Sequence, residues 1–390
     1  MARKGKAIIS GLDIGTSGMV VLTVDGTRDV HTPAGIGRRP SLGMRKGLVV
    51  DEQSAARAIR CAADDAGAAA GIRVDTAWVG FSGCGMKVVQ RRVGMILQRA
   101  ADISDINNLI NLARQVELPE EREILQVVPV EFILDGVLGV KNPLGRYAAR
   151  LEIVASVVTV DSASLTRLLS AVQKAGIRVA GLSVNALTAG EAVLHSVEKE
   201  LGVALVDLGG GTTGVTVFND GNFIDAEVLP VGGDHITSDL AIGLRVSLTE
   251  AEEIKRLSGL SSYAGLVKAD GGRFTAADCR KIVEIIQLRV QEMLDLIRRT
   301  IDRLSAGRSL TAGAVLTGGG ALLGGLPEMT ARVLGLPVRV GVPDFPSPLN
   351  GPDLAAAWGL AGYARRALFR EQYGPVSAAW GREIKSGLLK

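Results

Sequence analysis

A chain of 390 residues with 47% hydrophobic and 22% charged side chains has enough apolar mass for two domains with their own cores, and its composition is not that of a disordered protein. A net charge of +3, with no Lys/Arg run interleaved with aromatic residues, lacks the electrostatic footprint of a nucleic-acid binder. Cys61, Cys84 and Cys279 stand far apart without a CxxC, and His31, His195 and His235 lack zinc-ligand spacing, so neither a disulfide framework nor a structural metal centre is expected.

The charged start, Met1 to Lys6, precedes only a short apolar stretch before Asp13, which does not fit a signal peptide. No run of about 20 apolar residues exists to span a membrane, so the expected compartment is the cytoplasm. In chain order, strands are expected over Ala7 to Leu12, Val20 to Val24 and Leu48 to Val50. Asp51 to Ala70 reads as a helix stopped by Gly71, and Thr76 to Phe81 as a strand. The texture then changes. Val88, Val89, Val93, Met95, Ile96 and Leu97 fall in short β-like stretches, followed by a helix capped by Ser104 with Ile106, Leu109, Ile110 and Ala113 on one face. Strands are expected over Ile124 to Leu134 and Leu151 to Val160, which makes 82–160 an α+β insertion.

Alternation resumes with a helix over Ser164 to Ala175, a strand over Ile177 to Ser183 and a helix over Leu187 to Glu200, the pattern of α/β architecture. Thr249 to Ser258 and Ala276 to Leu304 read as helices. In the second, Ile282, Ile286, Val290, Met293, Ile297, Ile301 and Leu304 form a stripe better suited to core packing than to a partner helix.

Two Gly-rich turns carry the chemistry. Gly11-Leu12-Asp13-Ile14-Gly15-Thr16-Ser17 and Val206-Asp207-Leu208-Gly209-Gly210-Gly211-Thr212-Thr213 each follow an apolar run and lead into another, Met19 to Val24 and Val215 to Phe218. Strand, small-residue turn and strand make a tight hairpin whose N–H groups can face phosphate oxygens. An Asp at each strand end, Asp13 and Asp207, suits a hydrated Mg²⁺. Two such hairpins imply two similar lobes gripping one nucleotide. Neither matches GxxxxGK[ST], and the strand that follows each argues against a dinucleotide GxGxxG loop. Gly232 and Gly233 precede a helix whose N-terminus attracts phosphate. Gly318, Gly319 and Gly320 form a triple-glycine turn after a strand, as needed where a flat group such as adenosine, or another backbone, passes close.

In this motif order the chain resembles the actin–Hsp70–sugar kinase superfamily, and within it the FtsA family of bacterial cell-division proteins. Lys46-Gly47-Leu48-Val49-Val50-Asp51, Phe81-Ser82-Gly83, Ile103-Ser104-Asp105-Ile106, Val128-Pro129-Val130-Glu131-Phe132, Val140 to Gly145, and Gly232 to Ala241 followed by Ala251 to Lys255 are similar to that family's motifs. The resemblance implies an α/β, actin-like (ribonuclease H-like) two-lobed ATPase fold with an FtsA-type α+β insertion subdomain. It divides the chain into a first lobe of 1–81, 161–195 and 352–372, the insertion 82–160, a second lobe of 196–241 and 306–351, a mostly helical subdomain 242–305, and a tail 373–390.

The resemblance also implies roles. Asp13 and Asp207 would hold Mg²⁺ through water. Gly15, Thr16, Ser17, Gly209, Gly210, Gly211, Thr212, Thr213, Gly232 and Gly233 would surround the phosphates of ATP. Glu252 and Lys255, one helical turn apart, would meet ribose and adenine, although such a pair is equally common as an exposed ion pair. Gly318 to Gly320 would receive the adenosine. Gly214 stands where relatives often carry Asp, and Asn185 where many superfamily ATPases carry the Gln or Glu that orients the attacking water. Tight ATP binding with slow hydrolysis follows as the expectation.

In the tail, Trp380, Ile384 and Leu388 recur every four residues beside Leu389, with Arg382 and Lys385 off the stripe. That suits a basic amphipathic helix on an anionic membrane surface, or a helix packed on its own domain. The resemblance favours the membrane. It implies a protein at the division septum, on the cytoplasmic side of the membrane, whose partners are FtsZ, later division proteins and copies of itself, and no nucleic acid. The competing readings are a sugar-kinase-like phosphotransferase, for which no acceptor-side general-base motif stands out, and an actin-like component of pilus assembly.

Overall fold

The computed structural model describes residues 8–26, 32–260 and 274–373. The tail residues Trp380, Arg382, Ile384, Lys385, Leu388 and Leu389, and His31, lie outside the described residues.

The chain opens with β1 (Ile8–Ile14), β2 (Gly18–Asp25), β3 (Gly35–Pro40), the short pair β4 (Met44–Arg45) and β5 (Leu48–Val49), α1 (Glu52–Ala70) and β6 (Thr76–Phe81). Next come β7 (Lys87–Ala100), α2 (Ile103–Ala113), β8 (Arg122–Leu134), β9 (Val137–Val140) and β10 (Tyr147–Asp161). They are followed by α3 (Ser162–Lys174), β11 (Arg178–Val184), α4 (Asn185–Val193) and α5 (Ser196–Leu201). The second half holds β12 (Val203–Leu208), β13 (Thr213–Asn219), β14 (Asn222–Leu229), α6 (Gly233–Leu244), α7 (Leu248–Ser258) and α8 (Ala276–Ser305). It closes with β15 (Gly313–Thr317), α9 (Leu326–Leu334), β16 (Val338–Val340) and α10 (Ala355–Tyr373).

Two five-stranded sheets share one plan. The first runs β11-β6-β1-β2-β3 and the second β16-β15-β12-β13-β14. In each, a three-stranded antiparallel meander meets two strands parallel to its first. The central strands are buried on both faces, which explains their continuous apolar runs. Helix α10 lies on β1, β2 and β6 and packs on α4, while α1 covers β2 and β3 and packs on α3. On the second sheet α8 covers β13 and β14, and its stripe from Ile282 to Leu304 is core. The insertion forms its own sheet, β7-β10-β8-β9, whose apolar face closes on α2.

Several local expectations change. The short stretches around Val88 to Leu97 are one continuous strand, because β10 pairs along nearly its whole length. Asp102, not Ser104, caps α2: its Oδ1 accepts from the N–H of Ser104 at 2.7 Å and of Asp105 at 3.1 Å, and Asp105 accepts in return from Asp102 N–H. The helix expected over Leu187 to Glu200 breaks at Leu194 and His195, which are extended. Glu198 causes the restart. Its carboxylate accepts from His195 N–H at 2.8 Å and pairs with Arg339 on β16. The strands β3, β9 and β14 had no strong pattern, being short, Gly-containing or at a sheet edge.

A buried polar chain ties the insertion to the first lobe. Gln126 of β8 donates Nε2–H to the Tyr363 hydroxyl of α10 at 2.7 Å, and its Oε1 accepts from the Ser183 hydroxyl of β11 at 3.1 Å. Gln126 and Ser183 are buried, and Tyr363 also stacks edge-on against Trp78 at 5.5 Å between centroids. Cutting Gln126 to Ala removes the buried partner of the Ser183 hydroxyl and one partner of the Tyr363 hydroxyl. We expect Gln126→Ala to destabilise by about 1–3 kcal/mol, read as a lowered midpoint in thermal unfolding, whereas Gln90→Ala, whose amide makes only a 3.4 Å contact to Ile224 O, changes it little.

Candidate functional site

The two meanders bring their first turns together. Asp13 pairs across its hairpin with Val20 and Asp207 with Gly214. Each turn is closed by the same bond: Gly15 N–H donates to Gly18 O at 3.0 Å, and Gly209 N–H to Thr212 O at 2.9 Å. The tips pack directly on each other. A Cβ on Gly210 would lie 1.6 Å from Ser17 Oγ, and one on Gly211 would lie 2.6 Å from Thr16 Oγ1. Ser17 also donates its hydroxyl to Asp234 Oδ1 at 2.9 Å, joining the first hairpin to the start of α6. Among the described residues, the N–H groups of Thr16, Ser17, Gly210 and Gly211, two on each of the packed tips, make no hydrogen bond within the protein.

Asp13 and Asp207 are the electrostatic centre. Burial, then the charge of Asp207, pushes the Asp13 carboxyl up to about 7; Asp353 adds to the rise, and the 2.7 Å hydrogen bond from Asn185 Nδ2–H opposes it. Burial pushes Asp207 up to about 6. Two desolvated carboxyls that repel each other hold a place for positive charge. Asn185 Oδ1 is buried without a hydrogen-bond partner among the described residues, but it is pressed on Gly80 of β6, where a Cβ would lie 1.8 Å from it, so the acceptors at this point are the oxygens of Asp13 and Asp207. An all-oxygen set of this kind fits a hard divalent cation. Among the described residues no group of three or more His, Cys, Asp or Glu side chains could hold a metal ion.

The other expected residues divide by what they touch. Gly233 N–H and Asp234 N–H donate to Gly209 O at 3.0 Å and Gly210 O at 2.8 Å, so this helix start is spent on bracing the second hairpin. Gly232 packs on the same carbonyls. Thr213 donates to Val231 O at 2.7 Å, and Thr212 accepts within its own turn. Gly318, at φ +80°, lets β15 end against the second hairpin: a Cβ there would lie 2.4 Å from Asp207 Oδ1. Gly320 packs on Leu208, whereas a Cβ on Gly319 would meet only Asp353 Cβ, at 4.0 Å. The triple glycine therefore answers mostly to a neighbouring backbone.

Glu252 and Lys255 are no simple surface pair. They meet at 2.6 Å, and Lys255, only 13% exposed, also donates to Thr237 Oγ1 at 3.0 Å and Gly233 O at 3.2 Å. Burial works against ionisation of Glu252, but hydrogen bonds from Lys255 and Thr237 outweigh it and hold its carboxyl below the ordinary value. The pair thus sits at the foot of α6, beside the second hairpin.

Sequence reasoning missed the brace of the first hairpin. Ser41 donates its hydroxyl to Gly15 O at 2.7 Å and its N–H to Ser17 O at 3.1 Å, and Gly47 N–H donates to Thr16 Oγ1 at 2.8 Å. It also missed Asp353, which pairs with Arg38 at 3.2 Å, and Asp234. Loop serines and single acidic residues leave no periodic signal, and only the glycines beside Lys46 and Asp234 marked these places.

Comparison with known proteins fits this geometry. A family model described as cell division protein FtsA matches residues 204–359, and one described as the SHS2 domain inserted in FtsA matches 88–159. The cell division protein FtsA of Pseudomonas aeruginosa is 34% identical over 354 residues, 87% of this chain and 84% of that protein. That of Bacillus subtilis is 32% identical over 367 residues, 91% and 83%. Among solved structures, a chain of the PilM–PilN type IV pilus biogenesis complex superposes with a TM-score of 0.65 at 18% identity, covering 90% of this chain and 97% of that one. MreB5 of Spiroplasma citri bound to ADP gives 0.55 at 14%, covering 94% and 99%. These likenesses establish the actin-like fold.

The raised carboxyls give a pH test. An unfolded Asp loses its proton near 3.8, while folded Asp207 keeps its proton to about 6 and Asp13 to about 7. The folded state binds more protons in that window, so the contribution is fully present below about pH 4 and is lost as pH rises through about 6 and then 7, by at most about 1.4 kcal/mol per unit per carboxyl. In EDTA, the unfolding midpoint of the wild type should therefore fall between about pH 5 and pH 8 more steeply than that of Asp13→Asn. Parallel curves would remove this account of the two carboxyls.

Proposed function

Since this chain belongs to the FtsA family of cell-division proteins, we propose that it is an ATP-binding, actin-like adaptor. It self-associates and tethers the FtsZ ring to the inner face of the cytoplasmic membrane at the division septum. The observation that carries the reading is the paired hairpins: two tips packed on each other, each with two N–H groups that make no hydrogen bond among the described residues, beside two desolvated carboxyls, a set suited to phosphate and a cation together.

In this cradle Asp13 and Asp207 hold Mg²⁺ through its waters, and the cation supplies the positive charge that the buried carboxyls and the phosphates both lack. Thr16, Ser17, Gly210 and Gly211 donate to phosphate oxygens. Glu252 and Lys255 lie on the sugar side, and Gly319 receives the adenine. Asn185 is committed to Asp13 through its donor, and a carboxamide is a poor base, so water attack is weakly assisted. Nucleotide is held more than it is consumed. Head-to-tail contacts between copies build an open filament. The segment with Trp380, Arg382, Ile384, Lys385, Leu388 and Leu389 lies on anionic lipid as an amphipathic helix, and FtsZ and later division proteins dock on the lobes.

Two measurements test this. With Mg²⁺, the chain should bind ATP saturably yet release phosphate far below the roughly 1–100 per second of kinases; kinase-like turnover rejects the retention reading. Anionic liposomes should pull down the full chain and, through it, FtsZ polymer. A chain ending at Gly374 should lose both, and equal recovery of the shortened chain rules out the tail as the anchor.

A further inference from the structure

The turn joining β4 to β5 consists of Lys46 and Gly47, both left-handed, with φ of 50° and 72°. Two-residue hairpin turns of this hand favour Asn, Asp or Gly at the first position, and a lysine there holds strained backbone. The turn cannot relax outward. A Cβ on Gly47 would lie 2.6 Å from Ser82 O, and Gly47 N–H is bonded to Thr16 Oγ1 at 2.8 Å. It is therefore pressed between the loop after β6 and the tip of the first phosphate hairpin, with Lys46 at its apex.

The side chain of Lys46 is exposed, and among the described residues no carboxylate pairs with it. Two other cations near the hairpins are committed among the described residues: Lys255 to Glu252, Thr237 and Gly233 O, and Arg38 to Asp353 and Leu349 O. Its field is felt at Cys84, whose thiol burial pushes up and Lys46 draws down, so the charge lies over the loop that follows β6. Since β6 runs parallel to β1, that loop flanks the first hairpin. A triphosphate set beside Asp13 and Asp207 brings more negative charge than one divalent cation neutralises.

Resting on the nucleotide-cradle reading, we propose that Lys46 is a phosphate-binding residue, supplied from outside the Gly-rich motifs, whose ammonium meets the terminal phosphate of a bound nucleoside triphosphate. It discriminates triphosphate from diphosphate. The backbone strain at its α-carbon persists because a glycine or asparagine would suit the turn but carry no charge to the cradle.

The test is calorimetric titration of the full chain, in Mg²⁺, with ATP, ADP and adenosine, for wild type, Lys46→Gly, Lys46→Asn and Lys46→Arg, alongside thermal unfolding of the free proteins. Gly and Asn should weaken ATP by about tenfold or more, as expected for loss of one charged hydrogen bond. They should weaken ADP less and leave adenosine unchanged. Arg should restore ATP binding. The unfolding midpoints of the Gly and Asn variants should equal or exceed that of wild type, because the turn strain is relieved. Equal ATP affinity in all four proteins overturns the proposal, and so does a parallel loss of ATP and adenosine, which would mark Lys46 as a structural turn residue. A wild type that binds adenosine but no better with phosphates attached refutes the cradle reading itself.

Discussion

Two carboxyls with nowhere to discharge organise this molecule. Asp13 and Asp207 end the first strands of two like-built sheets and are partly buried; burial raises the proton affinity of both, and the charge of Asp207 raises that of Asp13 further. Taking a carboxylate out of water costs several kcal/mol unless charge and hydrogen bonds offset it, and the protein offers Asp13 one amide from Asn185. What holds them in place is the sheet backbone on either side, buried on both faces. Any cation and anion bound there stabilise the folded state by mass action and pull the two lobes onto one ligand.

The two hairpins share one turn geometry but not one surrounding. The first is braced from outside by Ser41, between β3 and β4, and by Gly47, next to Lys46 in the β4–β5 turn. The second is braced from within by the start of α6, whose first N–H groups are used up on Gly209 O and Gly210 O. A helix N-terminus spent in this way fixes the loop beside it. The same division appears at Gly318, whose close approach to Asp207 makes the triple glycine chiefly a matter of backbone packing.

Much of this was legible in the sequence because it follows from local rules. The Gly-rich turns after apolar runs located both hairpins, and the period of the Ile282 to Leu304 stripe placed α8 in the core. The resemblance supplied the lobe plan, which no periodicity states. What escaped was decided by contacts remote in sequence. Glu198 breaks a helix because Arg339, far along the chain, holds its carboxylate. Asp102 displaces Ser104 as cap because two acidic residues trade backbone donors. Ser41 and Asp353 are single polar residues whose meaning exists only once β3 and α10 are in place.

Gln126 shows how far the central constraint reaches. Its amide joins the insertion to Tyr363 on α10 and to Ser183 on β11. Two residues beyond Ser183, Asn185 opens α4 and donates to Asp13. The side chains of Ser183 and Asn185 leave the same strand end in different directions, one toward the insertion and one toward the carboxyls. A shift of that strand end large enough to free Asp13 from Asn185 would also strain a buried, fully paired amide, and buried polar groups tolerate such loss poorly. The insertion is therefore no appended module. Through Gln126 it is bonded to the strand whose end positions Asn185 against Asp13.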